Sequence, residues 1–259
     1  MDIARRLFLG MISSVLLALS FPNELFPWGS PALGLVALAP LFVALAETAS
    51  YREAFAVGAV FGGLAHGVSS YWLWFFKDFR FWTLGTTVIA YMVVYGVLGL
   101  YLRGALKRGG IARPLVFAMA WAVFEWGKSS GFLGYPWGLV AYSWNTVSPA
   151  TQIAESTGVY GLSFALAFVS ASIGEALCGP PAPLPAASDG AAERPPSGRF
   201  AAALPSRPAW PDGRFADLGN LVVAVVCLVA VYAYGLAALE RPREARATGD
   251  VLLVQQNVD

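Results

Sequence analysis

With one histidine and two cysteines, the 259-residue sequence lacks the donors for a zinc site, and it has no CxxC pair or Cys/His cluster. No metal and no cofactor is called for. The cysteines, Cys178 and Cys227, are predicted at the cytoplasmic face and at mid-bilayer, which excludes a disulfide between them. Charge is equally scarce. Only 13% of residues are Asp, Glu, Lys or Arg, against about 25% in an ordinary soluble domain, too few to cover a water-facing surface. A net charge of +1 excludes the basic footprint of a nucleic-acid binder. There is no internal repeat.

What is present in excess is apolar and aromatic. Apolar residues make up 57% of the chain, with nine Trp, ten Tyr and seventeen Phe, and mean hydropathy is +0.60. A spanning helix needs about 20 mostly apolar residues, and aromatic side chains favour the two membrane–water interfaces. The sequence therefore predicts an all-α polytopic membrane protein with seven spans. They run over 7–21, 31–46, 54–76, 81–102, 114–126, 159–177 and 218–239. Arg5-Arg6 followed by Leu7–Leu19, with Ala18-x-Ser20 behind it, has the outline of a signal peptide, but is read as an uncleaved first span. With the N-terminus inside, the inner segments hold eleven Lys and Arg and the outer segments six. That excess fixes the N-terminus in and the C-terminus out.

Two connections stand apart. Residues 178–216 are Pro- and Ala-rich and read as a disordered cytoplasmic linker within a 1–239 membrane domain. Residues 127–158 contain Gly134-Tyr135-Pro136-Trp137-Gly138 and Tyr142-Ser143-Trp144. This segment is too aromatic for a floppy loop and too broken for a plain span. It reads as a re-entrant or interfacial segment on the outer side, tolerated where protein or water satisfies its backbone. The connector 240–259 ends in Val251-Leu-Leu-Val-Gln-Gln-Asn257, whose apolar run reads as a buried β-strand in need of partners.

Five features, in this order and spacing, resemble one family. They are Leu19-Ser20-Phe21-Pro22 with Pro31-Ala32-Leu33-Gly34; the Gly-rich stretch from Gly58 closing on Trp72 and Trp74; and Glu125-Trp126 before Gly134-Tyr135-Pro136-Trp137 and Tyr142-Ser143. Then come Gln152-Ile153-Ala154-Glu155 before Gly158-Val159-Tyr160-Gly161, and last Val254-Gln255-Gln256-Asn257. The family is the apolipoprotein N-acyltransferases of the bacterial inner membrane. The resemblance implies a multi-pass bundle bearing a carbon–nitrogen-hydrolase (nitrilase-like) domain. Its substrates would be a phospholipid acyl donor and a diacylglyceryl lipoprotein acceptor. A Cys nucleophile, a Glu base and a Lys would carry the reaction. It places all three beyond Asp259, so no catalytic residue is assigned within the chain. The chain reads as the membrane half of such an enzyme, cut just inside the catalytic domain and inactive alone.

Glu125, Tyr135, Trp137, Tyr142, Trp72, Trp74, Gln152 and Glu155 are the candidates for facing lipid or substrate. Each has a plainer reading. Glu125 with Lys128 three residues on makes a helix-end ion pair. The aromatic groups make an interfacial belt. Gln152 and Glu155 satisfy a helix start. His66 is read as a packed, hydrogen-bonded histidine between helices, and Gly58, Gly62, Gly63 and Gly67 as sites of close helix approach or as walls of an acyl-chain groove. Two other functions fit parts of the pattern: a membrane scaffold for a separate nitrilase-like partner, and a transporter. The transporter lacks intramembrane charge along a path and lacks an inverted repeat.

Overall fold

The computed structural model describes residues 2–75, 77, 80–108, 112–131, 134–178 and 213–241. Of the predicted linker, 179–212 lie outside these residues, while Cys178 ends one helix and Gly213–Ala216 open the last one instead of being linker; the predicted terminal strand also lies outside them. Among the described residues the protein is helical, without strands. Its helices are α1 (Ile3–Ser20), α2 (Pro31–Val36), α3 (Ala39–Ala46), α4 (Tyr51–Ser69), α5 (Arg80–Arg108), α6 (Arg113–Ser129), α7 (Ser148–Thr151), α8 (Ala154–Thr157), α9 (Val159–Cys178) and α10 (Gly213–Leu239). Short 3₁₀ turns occupy Tyr71–Phe75 and Val140–Trp144.

The predicted apolar stretches are mostly helical, but the one over 54–76 leaves the α-helix after Ser69 and goes on as the 3₁₀ turn Tyr71–Phe75. Four of the helices are long and apolar enough to cross a membrane: Ile3–Ser20, Arg80–Lys107, Val159–Cys178 and Leu218–Leu239. α5, with 29 residues, rises about 43 Å, well over a hydrocarbon core of about 30 Å. α6, with 17 residues, rises about 25 Å. Local signals set the starts. Ser30 Oγ accepts from Leu33 N (3.4 Å) ahead of Pro31 in the first turn of α2. Ser50 Oγ accepts from Glu53 N (3.2 Å) at the start of α4, and Glu53 reaches back to Ala49 N (3.0 Å).

The stretch 31–46, predicted as one span, is two helices. Pro40 lies in the first turn of α3 and has no N–H to continue α2. The break at Ala37–Leu38 is fully buried, so its freed backbone groups need partners. Serines on neighbouring helices supply them. Ser170 Oγ on α9 accepts from Leu38 N (2.9 Å), and Ser13 Oγ on α1 donates to Ala37 O (2.5 Å).

α4 and α5 pack closely, and glycine permits it. A Cβ on Gly58 or Gly62 would run into Tyr95 of α5, one on Gly96 into Phe55, and one on Gly99 into the Ala54 carbonyl. α9 lies at the centre, buried along most of its length against α3, α6 and α10. The aromatic core is continuous around it: Phe42, Phe61, Phe117 and Trp121 are buried and in ring contact.

Basic side chains of α1, α5 and α6 meet carboxylates and carbonyls at one end of the bundle. Arg6 pairs with Glu53, and Arg113 pairs with Glu175 (3.0 Å) while lying over the Phe42 ring. Arg103 donates to Ala49 O (2.6 Å) and Lys107 to Ala46 O (3.1 Å), which caps the carbonyl end of α3. The aromatic connections gather at the opposite end.

Candidate functional site

The candidate site forms where the last turn of α6 meets the broken segment that follows it. Glu125 is fully buried. Its Oε1 accepts from Trp121 Nε1 (3.0 Å), one turn back, and from Val140 N (2.8 Å), fifteen residues on. Ser163 of α9 faces the carboxylate without closing a hydrogen bond to it. Lys128 Nζ donates to Trp137 O (2.8 Å), and Lys128 O accepts from Tyr135 N (2.8 Å). One helix end thus holds the backbone at residues 135, 137 and 140. The ion pairs among the described residues are Arg6–Glu53, Arg113–Glu175 and Arg241–Glu155. Glu125 and Lys128 do not form another: each binds the broken segment instead.

That segment then dips into the bundle. Leu139, Val140, Ala141 and Ser143 are buried, and Trp144 Nε1 donates to Pro31 O (2.9 Å). Gly138, at φ +70°, makes the turn that precedes the dip. Gly34 in α2 leaves room for Ser143, which occupies the space a Cβ would take.

Beside this tether lies a polar and aromatic cluster. The His66 ring stacks on Tyr91 at 4.1 Å and meets Tyr135 edge-on at 5.4 Å. Ser70 Oγ is 3.2 Å from Tyr135 Oη and 3.5 Å from His66 Nδ1. Lys128 Nζ sits 5.7 Å from the centre of the Tyr91 ring. A cavity of about 10 Å³ lies between His66, Tyr91, Lys128, Trp137 and Gly138, room for one water molecule at most. Burial pushes the Tyr135 phenol above its ordinary range, with the Ser70 hydroxyl pulling the other way. Burial raises Tyr142 too, helped by the nearby Glu125 and Tyr160. Both phenols therefore remain neutral donors at neutral pH.

The candidates from the sequence divide into two groups. Glu125, Tyr135 and Trp137 come together, and Trp72 lies across from Trp137 at 6.4 Å between ring centres. Trp137 is half exposed, as is Trp74. Gln152 and Glu155 lie elsewhere: Gln152 Nε2 donates to Ser148 O (3.0 Å), and Glu155 pairs with Arg241 beyond the end of α10. Ser70 and Tyr91 join the cluster without having been singled out. Their one sequence signal is position, Ser70 four residues after His66 and Tyr91 among apolar residues of α5. Among the described residues no group of His, Cys, Asp and Glu is placed to hold a metal ion.

Fold and site together define a helical membrane protein that carries an irregular aromatic segment, pinned by buried charge, at one end of its bundle. Residues 13–172 match the sequence model of the apolipoprotein N-acyltransferase N-terminal domain, and the chain belongs to that family. A protein of Treponema denticola named apolipoprotein N-acyltransferase 2 is 38% identical over 170 residues, which is 66% of this chain and 32% of the relative. A Treponema pallidum protein of the same name is 34% identical over 95% of this chain and 39% of the relative. An apolipoprotein N-acyltransferase of Geobacter metallireducens is 30% identical over 98% of this chain and 44% of the relative. The chain thus spans less than half the length of these relatives.

Proposed function

We propose that this bundle is the membrane part of an enzyme that moves a fatty acyl chain from a phospholipid to the α-amino group of a diacylglyceryl-cysteine lipoprotein. In this reading it crosses the bacterial inner membrane seven times, N-terminus in and C-terminus out. The observation that carries the reading is the double tether of the aromatic segment by Glu125 and Lys128. It sets Tyr135, Trp137 and Trp72 side by side at one end of the bundle, the outer end by the charge bias. A lipid headgroup, an acyl chain and a lipid-modified peptide all pass through that interface, and a rigid amphipathic aromatic platform suits them.

Acyl transfer through a thioester needs a thiolate with a nearby base. Cys178 sits at the Glu175–Arg113 end of α9, opposite the aromatic segment, and Cys227 lies midway along α10. Neither serves as the nucleophile in this reading. A purified preparation of these 259 residues alone is expected to transfer no acyl chain, and C178S and C227S to leave the cellular reaction unchanged.

The test is depletion of the protein in its source cell, with mass spectrometry of lipoprotein N-termini. The expected result is accumulation of diacylated lipoproteins with a free α-amino group. Fully N-acylated lipoproteins at unchanged abundance would sink the reading. If acylation is lost and the chain purifies with a separately encoded nitrilase-like subunit, it is a scaffold for that subunit.

A further inference from the structure

α5 has two faces of opposite character. Met92, Tyr95, Gly96 and Gly99 meet α4 at close range. The face that bears Val93, Val97 and Tyr101 turns instead to α6, where Met119, Ala120 and Val123 stand opposite. Between them is a groove of about 710 Å³ with almost wholly apolar walls. Val97, Met119 and Val123 are each more than half exposed, so the groove opens sideways out of the bundle.

Its depth is set by the helices. It spans Val93–Tyr101 on α5 and Val116–Phe124 on α6, about 12 Å of rise on each, close to one leaflet's share of a hydrocarbon core about 30 Å thick. It starts one turn from Arg113 and about 10 Å from the end of α5. It therefore runs from near the charged end of the bundle to Phe124, one residue short of Glu125. Nothing at that depth is wet, and a polar ligand would leave its groups unsatisfied.

A hydrocarbon chain and another helix are the two occupants such a groove admits. The walls decide between them. Helices associate in membranes through small residues that let backbones approach, as α4 and α5 do here through Gly58, Gly62, Gly96 and Gly99. The groove has no glycine. Its walls are branched or long side chains, with Ala120 the one small residue among them. We infer that the α5–α6 groove holds one acyl chain of a phospholipid, a resident lipid distinct from any acyl donor at the aromatic end. The inference rests on the membrane setting and the groove, not on the proposed reaction.

The test uses the full protein reconstituted in liposomes that contain phosphatidylethanolamine with a mid-chain diazirine. After irradiation, labelled residues are mapped by mass spectrometry. Val226 on α10, similarly exposed on an open helix face, reports ordinary surrounding lipid. The expected result is severalfold more adduct at Val97, Met119 and Val123 than at Val226. A120W, which fills the groove, is expected to lower groove labelling severalfold and leave Val226 unchanged. Should A120W misfold, the wild-type ratio still decides. Equal labelling at groove and control would overturn the inference in favour of ordinary surrounding lipid. Disulfide-linked dimers of V97C, with weak lipid labelling, would overturn it in favour of a second copy.

Discussion

Glu125 carries two hydrogen bonds with no exposure to solvent, and removing it strands both donors. Leaving a buried donor unsatisfied costs about 1–3 kcal/mol. Glu125→Ala is therefore expected to lower the detergent-unfolding free energy by about 2–6 kcal/mol, the two donors taken together. Glu125→Gln keeps an acceptor at Oε1 and is expected to lose less than half as much. Hydrogen exchange at the Val140 amide separates this from a general loss of stability, because it rises in Glu125→Ala before the amides of α9 do. The residue is identifiable in the sequence as a lone carboxylate near a helix end. Its partner is not, because Val140 N is fifteen residues away and only the fold brings it back. The near neighbour Lys128 suggests an ion pair by spacing, but each group instead bonds the backbone of the segment that follows, Glu125 at Val140 N and Lys128 at Trp137 O.

Among elements, composition shows which stretches are helical, since each apolar run had to find hydrogen bonds within itself. It does not show the break inside 31–46. That break depends on Ser13 and Ser170, which look like unremarked small residues in α1 and α9 until their hydroxyls meet Ala37 and Leu38. The glycines of α4 are visible as a pattern, but their use is not. They do not wall a groove; they press α4 onto α5, where Gly96 and Gly99 complete the contact from the other side. Gly99→Leu is expected to destabilise the protein by about 1–3 kcal/mol through overpacking against Ala54, read as a lower unfolding midpoint. Gly127, with open space where a Cβ would go, is expected to accept Ala at little cost.

The charged end of the bundle offers a second test at this scale. Arg113 and Glu175 join α6 to α9 with little exposure on either side chain. Removing one partner of a buried pair costs up to about 3–5 kcal/mol. Arg113→Met is expected to show that loss, and Arg113→Met with Glu175→Leu to recover much of it in the same unfolding assay. A double variant as unstable as the single one would mean that packing against Phe42, rather than charge, holds this end.

For the molecule as a whole, the two ends differ in kind. Arg6, Arg103, Lys107 and Arg113 bind carbonyls or carboxylates at one end. Trp72, Tyr135 and Trp137 cluster at the other. With the N-terminus inside, S130C in a background free of native cysteine is expected to react with a membrane-impermeant thiol reagent in intact cells. R52C is expected to react only after the membrane is opened. The reverse pattern would invert the bundle. The expected orientation rests only on a bias in where Lys and Arg fall, since bilayer asymmetry, not contact within the chain, sets it.

The serines that close the break in 31–46 also impose an order of assembly. Leu38 emerges from the ribosome 132 residues before Ser170. Through that interval its amide has no partner from α9, and a bare amide in hydrocarbon costs several kcal/mol. The broken helix α2–α3 therefore cannot settle at its final depth when it is made. It waits, shallow or hydrated, until α9 threads in and offers the hydroxyl. A helix made late, α9, thus acts as the keystone for α2 and α3, made early, and a ribosome stalled before residue 170 would leave a bundle that is inserted but not yet locked.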